Sequence, residues 1–256
     1  MASFFQKIFG RSAAAQAAEA VSLATLGVDM HSHLLPGLDD GAETVEQSVE
    51  LVRAMHTLGY RKLIMTPHIM GDFYKNTPTG IRAALAQLRA AAAAAGLHDM
   101  ELDCAAEYYL DEWFQQKLDG GEPLLSFGGE QKYLLLETSY INEPFNFRET
   151  VFNLKTAGYQ PVLAHPERYT YFYGRFQDLE KVHAEGVLFQ LNLNSLCGYY
   201  SAGARKMAER LVDAGLVDMV GTDAHNLKHT ETLRLKVLPT DHLQKVLALP
   251  LLNNSL

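Results

Sequence analysis

The amino-acid sequence predicts a single α/β domain in which seven βα units form a parallel (β/α)7 barrel. Short β-branched or apolar runs alternate with helical stretches along the whole chain. The 256 residues, 48% hydrophobic and 20% charged, fit one large globular domain, and no linker-like segment interrupts them. A doubly wound open sheet is the alternative, because the spacing of the strands alone does not separate the two folds.

Seven apolar runs are predicted to be strands, at residues 27–33, 62–68, 100–108, 132–138, 161–165, 187–193 and 217–223. Helices are predicted at residues 44–58, 79–95, 111–117, 147–156, 176–185 and 202–214, with a last one at 240–247. A glycine follows five of these helices just before the next strand, where the left-handed residue that ends a helix commonly lies. This repeated αβ junction supports the barrel.

The first 26 residues are predicted to be a loosely ordered N-terminal extension, and residues 27–256 to be the folded domain. Phe4, Phe5, Ile8 and Phe9 interleave with charged and polar residues, so the apolar run is too broken for a signal peptide. No stretch approaches the roughly 18 apolar residues of a membrane span. We expect a cytoplasmic protein without a transmembrane segment.

Charge and cysteine content exclude several function classes. The chain has 22 Lys and Arg against 30 Asp and Glu, a net charge of -8, which argues against nucleic acid as a partner. Two cysteines, Cys104 and Cys197, are too few for a secreted disulfide framework. Neither has an arginine six residues later, as a cysteine-based phosphatase requires; Leu110 and Gly203 stand there instead.

Five of the seven predicted strands end in residue types that bind metal ions. The motifs are His31-Ser32-His33, Thr66-Pro67-His68, Ala106-Glu107-Tyr108, His165-Pro166-Glu167-Arg168 and Asp223-Ala224-His225. Residues i and i+2 of a strand point the same way, so His31 and His33 can bind one ion together, as can Asp223 and His225. Active sites of parallel barrels lie at the C-terminal ends of the strands, where these motifs fall.

The candidate ligands outnumber the coordination positions of a single ion. With Asp40 from the loop after the first strand, the eight are His31, His33, Asp40, His68, Glu107, His165, Asp223 and His225. Imidazole and carboxylate suit zinc, manganese and iron, and eight ligands predict two or three ions bridged by carboxylates. The histidines on predicted helices are interpreted as structural, while the role of His229 stays open.

Arg168 follows His165 by three residues and is a candidate bidentate clamp for phosphate or carboxylate. The alternative is an ordinary salt bridge to Glu167 or Asp178. Lys228 and His229 would add positive charge at the rim of the site. Amidohydrolase barrels often need a lysine that bridges two metals, whereas the corresponding strands here end in Glu107 and Glu137, which argues against that class.

These motifs, from about Val28 to Asn226, resemble those of the PHP (polymerase and histidinol phosphatase) superfamily. The Leu38-Asp39-Asp40-Gly41 loop and the His-Pro-Glu-Arg step are similar to those of bacterial manganese-dependent protein-tyrosine phosphatases of capsule and exopolysaccharide operons, the CpsB/YwqE type. The resemblance implies a distorted TIM-like (β/α)7 barrel of the PHP fold. It also implies three divalent ions, manganese foremost, with iron, cobalt or zinc as alternatives.

The resemblance further implies hydrolysis of phosphotyrosine on a bacterial tyrosine kinase that regulates polysaccharide synthesis. A metal-bound hydroxide would attack phosphorus, and Arg168 would bind the phosphate. One ion would be held by His31, His33, Glu107 and Asp223, a second by Glu107 and His165, and a third by Asp40, His68 and His225. Some members carry a further arginine after the final motif; Lys228 or His229 would take its place here.

The substrate and its binding slot are less determined by the sequence. Aromatic residues that follow strand ends are candidates for an aromatic slot, and we favour Tyr169 and its neighbours up to Tyr173. The wider set is Tyr108, Tyr109, Tyr140, Phe145, Tyr169, Tyr171, Phe172 and Tyr173. The alternatives to a tyrosine phosphatase are a small-molecule phosphomonoesterase of the histidinol phosphatase type, a nuclease domain and a regulatory subunit with a vestigial site.

Overall fold

The computed structural model describes residues 22–256, in which nine short strands pair only in parallel. The strands are β1 (Val28–Asp29), β2 (Lys62–Met65), β3 (His68–Ile69), β4 (Glu101–Cys104), β5 (Glu107–Tyr109), β6 (Tyr133–Glu137), β7 (Gln160–Ala164), β8 (Leu188–Asn192) and β9 (Met219–Gly221). They form a three-stranded sheet of order β1-β2-β4 and a six-stranded sheet of order β3-β5-β6-β7-β8-β9.

Two of the predicted strands are each interrupted by two residues, which separates the sheets. β2 and β3 are parted by Thr66 and Pro67, and proline has no N–H to donate to the ladder. Backbone hydrogen bonds continue across the gap, because Glu107 N–H donates to the carbonyl of Pro67 at 3.2 Å. The nine strands therefore follow seven consecutive runs, in agreement with the seven that were predicted.

Hydrogen bonds also join the first run of strand to the last. The N–H of Asp223 donates to the carbonyl of His31 at 2.8 Å, and the N–H of His33 donates to that of Ala224 at 2.9 Å. Just below, the carboxylate of Asp29 accepts from the N–H and the hydroxyl of Thr222, at 2.8 and 3.0 Å. These contacts join the two edges of the sheet, as a barrel requires and an open sheet would not show.

Apolar residues fill both the inside of the ring and the layer outside it. A cluster of ten buried residues joins strands from different sides of the ring, including Val28, Ile64, Leu135, Val162 and Met219. A larger cluster lies between the strands and the helices. The helices of residues 22–256 are α1 (Val45–Thr57), α2 (Pro78–Ala94), α3 (Glu112–Asp119), α4 (Phe147–Thr156), α5 (Phe176–Ala184), α6 (Ala202–Asp213), α7 (Leu227–Thr232) and α8 (Asp241–Leu247).

Helix α7 is absent from the prediction, which otherwise placed each helix to within two residues. It has only six residues before it continues as a π-helical turn, Leu233–Val237, so its periodicity is too short to recognise. Its start is fixed by Asn226, whose side chain accepts from the N–H groups of Lys228 and His229. None of the described helices is long and apolar enough to cross a membrane.

The described part of the chain begins before the predicted domain boundary. Residues 1–21 of the predicted extension lie outside the described residues, but residues 22–26 pack on the domain. Leu23–Thr25 form a 3-10 turn capped by Ser22, and Leu23 and Leu26 are buried in the outer core. This segment therefore belongs to the domain, because it contributes two apolar side chains to the core.

The last residues of the chain close the lower end of the ring. Asn253 is fully buried, and its side chain accepts from the N–H of Val220 at 2.9 Å. It donates to the carbonyls of Val220 and Val28 at 2.8 and 3.1 Å, which bridges β9 and β1 where the two strands do not pair directly. The amide thus takes the place of ladder hydrogen bonds.

We predict that Asn253→Ala lowers the free energy of unfolding by about 2–4 kcal/mol, because it leaves buried backbone groups without partners. Urea unfolding followed by circular dichroism measures the change. Asn142→Ala is the matched control, because Asn142 is exposed, and should change stability by less than about 0.5 kcal/mol. Equal effects of the two substitutions would contradict the bridging role.

Candidate metal centre

The structure brings all eight candidate ligands together at the C-terminal ends of the strands. Their ligand atoms fall into overlapping groups whose members lie within 4.8 Å of one another. The groups are His31, His33 and Asp223; His31, Glu107 and His165; His33, Asp40, His68 and His225; and His68, Glu107 and Glu137. His33 thus lies close to His31 and Asp223 of the first implied ligand set and also to Asp40, His68 and His225 of the third. Glu107 belongs to two of the four groups.

Glu137 is a candidate ligand that the sequence analysis missed. It ends β6, and its Oε2 lies 3.7 Å from Nδ1 of His68 while its Oε1 lies 3.6 Å from Nε2 of His165. The signal was present, since Glu137 is a carboxylate at the end of a predicted strand. Glu107, which was predicted as a ligand, has the same position one residue before the end of a predicted strand.

Glu107 lies at the centre of the candidate site and is almost fully buried. Its Oε2 lies 3.3 Å from Nε2 of His31, 3.4 Å from Nε2 of His33 and 3.1 Å from Nδ1 of His68. Its Oε1 lies 3.2 Å from Nε2 of His165. One carboxylate therefore contacts four imidazoles that come from three different runs of strand.

Hydrogen bonds behind the first two imidazoles orient them toward this centre. Nδ1 of His31 lies 2.7 Å from Oε1 of Gln190, and Nδ1 of His33 lies 2.7 Å from Oδ2 of Asp39. An acceptor at Nδ1 favours the tautomer with the proton there, which leaves the Nε2 lone pairs facing inward. The two Nε2 atoms are only 3.3 Å apart.

A divalent cation fits this donor set. Facing lone pairs and carboxylates repel one another unless positive charge lies between them. Both oxygens of Glu107 and Nδ1 of His68 are buried and lack a hydrogen-bond partner among the described residues. Neutral imidazole nitrogen and carboxylate oxygen are ligands for manganese, iron, cobalt and zinc, and no thiolate is present to favour a softer ion.

The pKa values within the site reflect its negative charge. Burial opposes protonation of His31, but the carboxylates of Glu107 and Asp223 outweigh it and raise the pKa of this imidazole to about 9. Burial and the negative charge of Glu107 raise the pKa of Glu137 to about 8. Burial and the nearby Arg168 lower the pKa of His165 to about 4. Negative charge thus dominates around His31 and Glu137, whereas burial beside Arg168 dominates at His165.

Two candidate ligands have a left-handed backbone conformation. His165 has φ 33° and Asp223 has φ 50°, values that residues other than glycine adopt at a cost. At His165 the turn ends β7 one residue before the predicted strand end and begins the 3-10 turn Pro166–Arg168. The turn places Arg168 at the cavity instead of extending the strand.

A cavity of about 420 Å³ opens above these residues. Its lining comprises Asp40, His68, Glu107, Glu137, Tyr140, His165, Arg168, Tyr200, Asp223, His225, Asn226 and His229. Nη1 of Arg168 donates to Oδ2 of Asp223 at 2.8 Å. The alternative salt bridges are not formed, since Glu167 accepts from Asn192 N–H and the Ser195 hydroxyl, and Asp178 pairs with Arg175 and Lys181.

The predicted substrate residues need correction. Tyr169 is fully buried, and its hydroxyl accepts from the N–H of Thr138 at 3.3 Å, so it packs behind the cavity wall and does not line it. Lys228 also lies off the cavity, with its ammonium 5.7 Å from the ring of Tyr199. His229 lines the cavity, although its Nδ1 lies 3.0 Å from the carbonyl of Asp223 and holds that turn.

Two other tyrosines form the aromatic wall. Tyr140 was in the wider set of candidates from the sequence, and Tyr200 was not. Tyr200 lies beyond the 3-10 turn Leu193–Cys197 that follows β8, so no strand-end motif marks it. Three histidines on predicted helices were interpreted as structural, and each pairs with a carboxylate outside the candidate site. The pairs are His56 with Asp99, His183 with Asp218 and His242 with Glu209.

Comparison with known proteins assigns the family. The sequence model described as "Capsular polysaccharide synthesis, CpsB/CapC" matches residues 27–236, most of the chain. The chain belongs to the CpsB/CapC family. The match begins at the first predicted strand and ends beyond the last metal-ligand motif, so it includes every candidate ligand.

Tyrosine-protein phosphatases of other bacteria are similar to most of the chain. The chain is 31% identical over 201 residues to tyrosine-protein phosphatase YwqE of Bacillus subtilis, covering 78% of each chain. It is 26% identical over 206 residues to tyrosine-protein phosphatase CpsB of Streptococcus pneumoniae, covering 78% of this chain and 83% of that protein.

Solved structures agree with this assignment. A structure reported with YwqE and CpsB as "unique metal-dependent tyrosine phosphatases" superposes with a TM-score of 0.73 at 31% identity, over 85% of this chain and 83% of that one. An amidohydrolase from Mycoplasma synoviae superposes with a TM-score of 0.53 at 10% identity, covering 92% of this chain and 88% of the other, which is a likeness of fold alone. The TIM-like barrel class predicted from the sequence is confirmed.

We predict that Mn²⁺ binds more weakly as the pH falls from about 9 to about 6. Because Glu107 and Asp223 raise the pKa of His31 to about 9, protons compete with the ion for this imidazole as the pH falls. Calorimetric titrations in two buffers of different ionisation enthalpy should show proton release at pH 7. His56→Gln, which changes an exposed histidine pair elsewhere, should leave the curve unaltered, and an affinity independent of pH would contradict the prediction.

Proposed function

We propose that this protein is a metal-dependent protein-tyrosine phosphatase that acts in capsular or exopolysaccharide synthesis. The observation that carries the proposal is a buried set of nine imidazole and carboxylate ligands that opens into a cavity beside one arginine. The names of the relatives support the substrate class, since YwqE and CpsB are called tyrosine-protein phosphatases.

Divalent ions held by these ligands would neutralise the charge of a bound phosphate and supply a nucleophilic hydroxide. The nine residues proposed to hold them are His31, His33, Asp40, His68, Glu107, Glu137, His165, Asp223 and His225. Glu107 is placed to bridge, because its two oxygens face different imidazoles. We propose three ions, with manganese foremost, because the ligand atoms fall into more groups than one ion can serve.

In this proposal Arg168 orients the phosphate, and neither cysteine acts as a nucleophile. Arg168 is proposed to bind the phosphoryl oxygens, with its guanidinium fixed by Asp223 at 2.8 Å. Neither cysteine lines the cavity, and burial raises the pKa of the Cys104 thiol to about 11. A thiolate nucleophile is therefore not available at this site, and the reaction we propose has no phospho-enzyme intermediate.

The substrate we propose is a phosphotyrosine protein, specifically a bacterial tyrosine kinase that regulates polysaccharide assembly. This extends the family description, which places its members in capsular polysaccharide synthesis. A cytoplasmic location is part of the same proposal, and both cysteines are unpaired, as a reducing compartment favours. The net charge of -8 still argues against nucleic acid as a substrate.

We predict that metal-stripped protein reloaded with Mn²⁺ hydrolyses a phosphotyrosyl peptide and leaves histidinol phosphate largely intact. Phosphate release from each substrate is measured side by side, with and without a chelator. Chelation should abolish the activity, since the protein supplies no nucleophile of its own. Turnover of histidinol phosphate alone would keep the metal site and reject the tyrosine phosphatase function.

We predict that His33→Ala and Asp223→Ala each lower turnover of the peptide by at least about 100-fold, because each removes a proposed ligand. Metal content, measured by mass spectrometry of the purified variants, should fall in parallel. Cys197→Ser is the control and should retain full activity, since the thiol lies outside the cavity. Activity that survives both ligand changes would reject the metal mechanism.

A further inference from the structure

The guanidinium of Arg168 lies between two tyrosine rings. Its Cζ is 4.5 Å from the centre of the Tyr140 ring and 4.1 Å from that of the Tyr200 ring. Both rings line the cavity above the candidate ligands. Contacts at these distances are cation–π interactions, and in a partly desolvated position they hold a guanidinium in one plane.

This stacking leaves the edge of the guanidinium as the part most open to a ligand. Among the described residues Arg168 makes one hydrogen bond, from Nη1 to Asp223, so Nε and Nη2 have no protein acceptor. The side chain is only 20% exposed, yet it lines the cavity. A tetrahedral phosphate binds a guanidinium edge-on through two parallel N–H donors, which is the geometry that the rings leave available.

Hydrogen bonds hold both tyrosine rings in fixed positions relative to the proposed metal ligands. The Tyr140 hydroxyl donates to Oε1 of Glu137 at 2.5 Å. The amide of Asn192 donates both to the hydroxyl of Tyr200, at 3.3 Å, and to Oδ2 of Asp223, at 2.7 Å. The plane of the guanidinium is therefore fixed relative to two carboxylates of the candidate metal centre.

The cavity holds no second lysine or arginine among its lining residues. After the Asp223-Ala224-His225 motif the next arginine is Arg234, which is 56% exposed and lies near Glu231. Phosphate recognition by protein side chains thus depends on one permanently charged group. Its orientation consequently matters more than it would in a site with two such groups.

We propose that Tyr140 and Tyr200 are positioning residues that hold Arg168 edge-on toward the phosphate, in place of a second cationic side chain. The inference rests on the proposed function only in taking phosphate as the ligand. It assigns to two tyrosines a role that neither strand-end motifs nor ligand chemistry indicated. The rings act through Arg168, and not through the metal ions.

The test is calorimetric titration of inorganic phosphate into the Mn²⁺-loaded protein and its variants. Tyr140→Leu and Tyr200→Leu should each raise the dissociation constant about tenfold, with unchanged manganese content. Tyr140→Phe and Tyr200→Phe keep the stacked ring and should change it less than about threefold. Tyr159→Leu is the matched control, because this tyrosine lies away from the cavity and should have no effect.

A double-mutant comparison separates positioning from a general structural role. In an Arg168→Ala background, the leucine substitutions should weaken phosphate binding no further, because the group that they position is gone. Equal weakening in both backgrounds would overturn the proposal, as would unaltered affinity in both leucine variants.

A further variant tests the proposal if a leucine substitution unfolds the protein. Arg168→Lys keeps the charge and removes the planar edge, and it should bind phosphate about tenfold more weakly; wild-type affinity in that variant would overturn the proposal. Failure to hydrolyse the phosphotyrosyl peptide would instead reject the proposed function, and the phosphate affinities would still decide the role of the tyrosines.

Discussion

The mutual repulsion of buried acceptor atoms around Glu107 is the constraint on which the rest of the site depends. Four imidazole nitrogens lie within 3.4 Å of this carboxylate, which is almost fully buried. In a low-dielectric surrounding such an arrangement is costly unless positive charge compensates it. The fold supplies the rigidity to hold these atoms together, since hydrogen-bonded strands carry them, and a bound cation would supply the charge.

A chain of hydrogen bonds connects His31 to the guanidinium of Arg168. Gln190 accepts from His31 and donates to Asn192 at 2.9 Å, and Asn192 donates to Asp223. Asp223 then accepts from Arg168. The first four side chains, His31, Gln190, Asn192 and Asp223, are buried, so each must keep its partner, and the orientation of the arginine is tied to that of the histidine.

The parts of the site that follow from local rules were predictable from the sequence. The His31-Ser32-His33 and Asp223-Ala224-His225 pairs were recognised because side chains alternate along a strand. The prediction that Tyr169 lines the substrate slot was wrong, because the left-handed backbone at His165 starts a turn after which Tyr169 is buried. The residue types in this segment do not predict that turn. The position of Tyr200 depends on the path of the 3-10 turn after β8, and the start of helix α7 depends on the side-chain cap of Asn226. Neither feature produces a periodic pattern in the sequence.

The closure of the ring between its first and last strands has a consequence for how the protein assembles. Asp29 and Thr222, which bond each other across that seam, are separated by 193 positions in the chain. Contacts of such sequence separation form late, because a long loop must close before they are gained. His31 and Asp223 stand on opposite sides of the same seam. An ion held by both residues would link the two sides of this seam, so metal binding would stabilise the closed ring against unfolding.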